Sequence, residues 1–198
     1  KEDLVLSRIK SQYQLDNFSA LAELAFKDIF LKRKDEASFF LRQHVIEELS
    51  RLRDTEIVRY LEYRYKYDVF PVEKRVEEYP PLVQIEPSSI CNFRCVFCYQ
   101  TDERLTKKKN GHMGVMSIDL FKRIIDQLEG NVEAISLASR GEPTVNKQLP
   151  EMLQYLKGKF LAVKIWKQKS FFHQPFFRIQ FLILSPNFKM KGGTINRA

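Results

Sequence analysis

Leu82-Val83-Gln84-Ile85-Glu86-Pro87-Ser88-Ser89-Ile90-Cys91-Asn92-Phe93-Arg94-Cys95-Val96-Phe97-Cys98 sets a strand-like segment, Leu82 to Glu86, directly before a C-x3-C-x2-C run. These are all three cysteines of the chain. Spacings of three and two residues let one loop point three thiolates at a common centre, as a chain does to ligate an iron–sulfur cluster or a soft metal. A cubane cluster has four irons, so three thiolates leave one of them open to a ligand from outside the protein.

Other uses of the cysteines are weighed on the same residues. An odd count in a mid-sized chain with no apolar signal segment argues against a disulfide framework. Zinc would need a fourth ligand, and the histidine on offer nearby is His112, fourteen residues past Cys98, in a spacing unlike the usual finger patterns. A single nucleophilic cysteine would leave two clustered thiols superfluous.

Downstream, Asn131 to Ser139 reads as a buried strand ending in Arg140-Gly141-Glu142-Pro143, a turn that leads into a helix-like stretch from Asn146 to Leu156. Gly141 allows a close backbone approach, and the Glu142 carboxylate beside it can meet a cationic group.

Together these motifs resemble the radical S-adenosylmethionine (radical SAM) superfamily, including the aromatic Phe97 just before the last cysteine. The resemblance implies that Cys91, Cys95 and Cys98 ligate a 4Fe-4S cluster, whose open iron is chelated by the amino and carboxylate groups of S-adenosylmethionine. Phe97, Gly141 and Glu142 are implied to help seat that cofactor. The family's Gly-Gly-Glu-Pro stretch is matched at Gly141, Glu142 and Pro143, with Arg140 where the first glycine would stand. Reductive cleavage of the sulfonium would give a 5′-deoxyadenosyl radical that abstracts hydrogen from a substrate the sequence does not name. An electron donor such as flavodoxin or ferredoxin and a cytoplasmic, reducing setting are implied as well. The catalytic residues toward the substrate stay unassigned, since the later strands that close the family's pocket are not evident.

The order strand (82–86), cysteine loop, helix (117–128), strand (132–139), helix (147–157), strand (160–165) predicts parallel strands with crossover helices. The expected fold is therefore α/β: a partial (β/α) barrel of radical SAM type with about three βα units, preceded by an all-helical N-terminal region. The stretch from Leu82 onward is shorter than half of the roughly 250 residues that a complete eight-unit barrel takes. The expected divisions are 1–79 helical, 80–165 partial radical SAM core, and 166–198 a basic, Phe-rich tail.

Within the first division, Leu21, Leu24, Ala25 and Phe26 are spaced for one face of a helix from Ser19 to Leu31, and a second helix is expected from Asp35 to about Tyr67. Tyr60, Tyr63, Tyr65 and Tyr67 read as packing between helices, and His44 as an ordinary surface or core histidine. Pro71, Pro80 and Pro81 punctuate a linker into the first strand. In the loop after the cysteines, Lys107 to His112 reads as a solvated turn.

The formal net charge is +8, yet it is not evenly spread. No acidic residue follows Glu151, while nine basic ones do, so the basicity belongs to the tail and a nucleic-acid partner is not expected. Phe176 to Leu184 is too short and interrupted to cross a membrane. Lysine- and phenylalanine-rich sequence without acids is what an AT-rich gene yields out of frame. The expectation is a frameshifted or truncated product from about Trp166 onward.

Overall fold

The computed structural model describes residues 1–167 and 180–183, apart from Asp16, Lys34 and Ser139 and apart from the side chains of residues 108, 166, 167 and 180–183. The expected tail thus lies largely outside the described residues. The chain divides into two compact units, Lys1–Pro81 and Leu82–Ala198.

The first unit is helical: α1 Glu2–Tyr13, α2 Ala20–Phe30, α3 Gln43–Leu49 and α4 Ile57–Glu73. Ser19 caps α2, its hydroxyl accepting from the Ala22 N–H at 3.2 Å. The buried face of α2 is Ala22, Ala25, Phe26 and Asp28, whereas Leu24 is exposed. The single helix expected from Asp35 to Tyr67 is in fact two, with a break between Leu49 and Ile57. The break has side-chain causes. Arg8 from α1 donates to the carbonyls of Leu49 (3.0 Å) and Leu52 (2.6 Å) and to Asp54, terminating α3. Arg53 and Glu56 then start the next segment reciprocally, the Arg53 N–H donating to the Glu56 carboxylate at 2.9 Å. Further upstream, Asp28 accepts the N–H groups of Ser38 and Phe39, holding that stretch out of a helix. Helix α4 continues through Pro71 and stops at Lys74, which is left-handed at φ 56°. Helix α1 was not anticipated.

Tyr60, Tyr63 and Tyr65 are buried as expected of packing residues, and Tyr67 is partly exposed. With them is a buried polar group: the Tyr60 hydroxyl donates to Glu48 at 2.5 Å, and Arg64 donates to both oxygens of Asp68. His44 lies in α3 with Nε2 at 3.4 Å from the Arg64 guanidinium.

The second unit is α/β. Strands β1 Leu82–Ile85, β2 Ala134–Leu137 and β3 Ala162–Lys167 are parallel and adjacent in that order. Register runs from Leu82 opposite Ala134 to Ile85 opposite Leu137, and from Ala134 opposite Ala162 to Leu137 opposite Ile165. Helix α6 Ile118–Leu128 connects β1 to β2 and α7 Leu149–Leu156 connects β2 to β3; a short α5, Glu103–Thr106, lies within the loop before α6. Every residue of β2 is buried, as a central parallel strand covered on both faces requires. Its core partners include Phe121 and Ile125 of α6 and Met152 and Leu156 of α7, the period-3.6 stripes visible in the sequence. Ser117 caps α6, accepting from the Leu120 N–H at 3.3 Å.

One element departs from the expected series. β4 Gln180–Ile183 pairs with β3 antiparallel, in a stretch where the sequence showed no strand period. The sheet is therefore four-stranded with three parallel strands, and not a purely parallel βα series. No helix among the described residues is long and apolar enough to cross a membrane.

Candidate functional site

In parallel α/β sheets, ligands gather at the carboxyl ends of the strands, where the connecting loops carry the variable side chains. The loop leaving β1 runs from Glu86 to Ser117 and holds all three cysteines. Its neck is closed by main-chain bonds: Met116 N–H to Pro87 O at 3.0 Å and Ser89 N–H to Gly114 O at 3.0 Å, with the Gly114 N–H donating to the Ser89 hydroxyl at 2.7 Å. Residues 90–113 are thus an excursion stapled at its base.

Inside that excursion Cys91, Cys95 and Cys98 are free, half-buried thiols. Cys95 and Cys98 are joined by a turn, the Cys98 N–H donating to the Cys95 carbonyl at 2.9 Å, and the Phe93 N–H donates to the Cys91 sulfur at 3.4 Å. Burial pushes the Cys91 thiol above its ordinary range against the pull of that N–H; the charges of Glu142, Cys95 and Cys98 push the same way. Among the described residues no group of three or more His, Cys, Asp or Glu side chains is arranged to hold a metal ion. His112 does not join the thiols in such a group. Phe97 is 71% exposed, and neighbouring Val96 is exposed too.

The turn after β2 comes to the same place. The Glu142 N–H donates to the Ile90 carbonyl at 3.0 Å, one residue before Cys91. Glu142 itself is buried, and its Oε1 accepts from the Thr144 hydroxyl at 2.7 Å, capping the short 3-10 turn Pro143–Val145. Gly141 has a role that its sequence reading missed. A Cβ there would lie 1.8 Å from the Ser88 carbonyl oxygen, so the absent side chain is what lets the two loop backbones pack together. The close approach seen at Gly141 is of protein to protein. Arg140 turns back to β1: its Nε donates to Glu86 Oε2 at 3.1 Å, while Glu86 Oε1 is buried with no hydrogen-bond partner among the described residues.

Two bracing side chains escaped sequence reasoning. The Gln100 amide is buried and donates to the carbonyls of Ser89 (2.9 Å) and Arg140 (2.9 Å). Asn146 is buried too, donating to the carbonyls of Pro87 (2.9 Å) and Met116 (3.0 Å) and accepting the Gln148 N–H at 2.9 Å. Neither follows from hydrophobic period or motif. Lys107 and residues 109–112, by contrast, are exposed as a solvated turn requires, with Lys107 paired to Glu103 at 2.7 Å.

The arrangement offers three soft donors on one stapled loop and, one main-chain bond away, a buried carboxylate. Three thiols suit a cluster with an unfilled iron better than zinc, whose tetrahedron they leave one ligand short. The model of the Radical SAM superfamily matches residues 85–184. The chain is 32% identical over 85 residues, 43% of its length, to the Fe-coproporphyrin III synthase of Methanosarcina barkeri (strain Fusaro / DSM 804), of which it spans 20%. No solved structure matches it.

Proposed function

The chain belongs to the radical SAM superfamily, and from that premise we propose that Cys91, Cys95 and Cys98 hold a 4Fe-4S cluster whose remaining iron takes the amino and carboxylate groups of S-adenosylmethionine. Bound there, the two groups would supply one-electron reductive cleavage of the sulfonium, releasing methionine and giving a radical able to take hydrogen from a substrate C–H bond. The loop contributes thiolates from a half-buried setting that the cluster's charge stabilises in ionised form. Glu142 accepts the ammonium group of S-adenosylmethionine, a cation that offsets the cost of keeping that carboxylate buried. Gly141 keeps the Glu142 turn against the cysteine loop, and Phe97 would help seat the cofactor. The three parallel strands, with their crossover helices, are the opening units of a partial (β/α) barrel of the superfamily's type. Electrons arrive from a reduced flavodoxin or ferredoxin in a cytoplasmic setting.

The observation that supports this reading is the Glu142 N–H on the Ile90 carbonyl, which joins the backbone of a buried acidic residue to the residue before Cys91. The 85 residues shared with the synthase are too small a part of it to carry its substrate across, so the substrate class is left to experiment. Anaerobic reconstitution with iron and sulfide, followed by EPR of the reduced chain, tests the proposal. The expected result is a 4Fe-4S signal that changes shape on adding S-adenosylmethionine. Chelatable zinc without labile sulfide, or a cluster signal indifferent to S-adenosylmethionine, would replace it with a non-catalytic reading.

A further inference from the structure

We infer that Gln100 is a positioning residue for the cofactor site: its amide ties the cysteine loop to the Glu142 turn and so fixes the carboxylate relative to the thiols. The inference rests on the cluster reading above and adds to it a residue outside both motifs.

Gln100 lies two residues past Cys98 in the 3-10 turn Tyr99–Thr101, and is 6% exposed. A primary amide has two N–H groups and a fixed angle between them. Here the nitrogen sits 2.9 Å from the Ser89 carbonyl, two residues before Cys91, 2.9 Å from the Arg140 carbonyl, two residues before Glu142, and 3.1 Å from the hydroxyl of the adjacent Tyr99. One side chain thus touches the strand-exit side of the cysteine loop, the far side of that loop, and the turn after β2. Its effect adds to the Gly141 approach on Ser88 and the Glu142–Ile90 bond, neither of which involves the residues after Cys98. Without Gln100 the turn after β2 would still be held to residues 86–90 and, through Asn146, to the neck of the loop at Pro87 and Met116, but the Cys95–Cys98 half of the loop could shift against it. A buried carbonyl that loses its donor also carries a desolvation cost, so the loss is felt at Ser89 and Arg140 and not only at residue 100.

The contrast is with Thr101, whose hydroxyl donates to the Cys98 carbonyl at 2.8 Å within the same turn and, among the described residues, has no side-chain hydrogen bond outside it. A merely local loop contact would make the two residues equivalent.

The test compares Gln100→Ala, the isosteric Gln100→Glu and Thr101→Ala in the full chain. Amide hydrogen exchange comes first and needs no cofactor. Both Gln100 variants should raise the exchange rate at the Glu142 N–H about tenfold, the scale of one hydrogen bond lost, with Ile125 in α6 unchanged and Thr101→Ala like the parent. After reconstitution, the Gln100 variants should take up iron as the parent does but need about tenfold more S-adenosylmethionine for the EPR change. Gln100→Glu keeps the volume, so it reports even if the alanine variant fails to fold. Unchanged exchange at Glu142 in Gln100→Glu overturns the inference whatever the cluster does. A parent chain whose signal ignores S-adenosylmethionine overturns the functional reading instead, and leaves the exchange result to decide the role of Gln100.

Discussion

The two units differ in how most of their buried polarity is met. In the helical unit Tyr60 meets Glu48 and Arg64 meets Asp68 four residues along the same helix, side chain to side chain, while buried Asp28 holds the main chain of Ser38 and Phe39. In the α/β unit buried polar side chains meet the main chain of loops: Gln100 on Ser89 and Arg140, and Asn146 on Pro87 and Met116. A polar pair closed on itself stabilises or specifies a core, whereas an amide aimed at carbonyls on separate loops sets the distance between those loops. The thiols lie in the unit built the second way.

The sharpest way to break this contrast is Cys95→Ala. Cluster iron after reconstitution should fall to near background, with melting of the helical unit unchanged; retention of most of the iron would break the link between loop and cluster. Next is Gly141→Ala. The added methyl cannot coexist with the Ser88 carbonyl 1.8 Å away, and overpacking of this kind costs roughly 3 kcal/mol. Denaturant unfolding should show that loss, with faster exchange in β2 and none in α2.

The helical unit has a counterpart in Asp68→Ala. Arg64 is 2% exposed on its side chain, so removing Asp68 leaves a guanidinium buried with less charge opposite it. The expected cost is about 2 kcal/mol, below the full penalty for an orphaned buried charge because Glu48 still acts on Arg64. Iron uptake should be unaffected. The smallest effect is alkaline. Burial raises the Tyr60 and Tyr63 hydroxyls above their ordinary range, and the Glu48 charge adds to this. A raised value in the folded state means that their contribution is complete below about pH 10, the unfolded value, and declines as pH rises above it. Absorbance titration should find these two phenols ionising last, together with unfolding of the helices.

Much of the α/β unit was legible in the sequence because its signals are local. The stripe Phe121, Ile125 and the run Ala134–Leu137 give period and burial directly, and the C-x3-C-x2-C spacing gives its chemistry. What failed depended on distant partners. The break between α3 and α4 comes from Arg8, whose target carbonyls lie more than forty residues away, so the apolar spacing across it still looked helical. The packing role of Gly141 was not legible because its neighbour in space, Ser88, belongs to the previous strand's loop. Gln100 and Asn146 carry no pattern at all. The antiparallel pairing of β4 is set by β3, not by any alternation of its own residues.

Asn146 finally places the site in time as well as in space. Its two carbonyl partners stand 59 and 30 residues back along the chain, so its bonds join segments that only collapse of the whole βαβ unit can bring together. The neck of the cysteine loop is therefore closed only when the βαβ unit is assembled. Loading with metal would best be attempted on the fully folded chain.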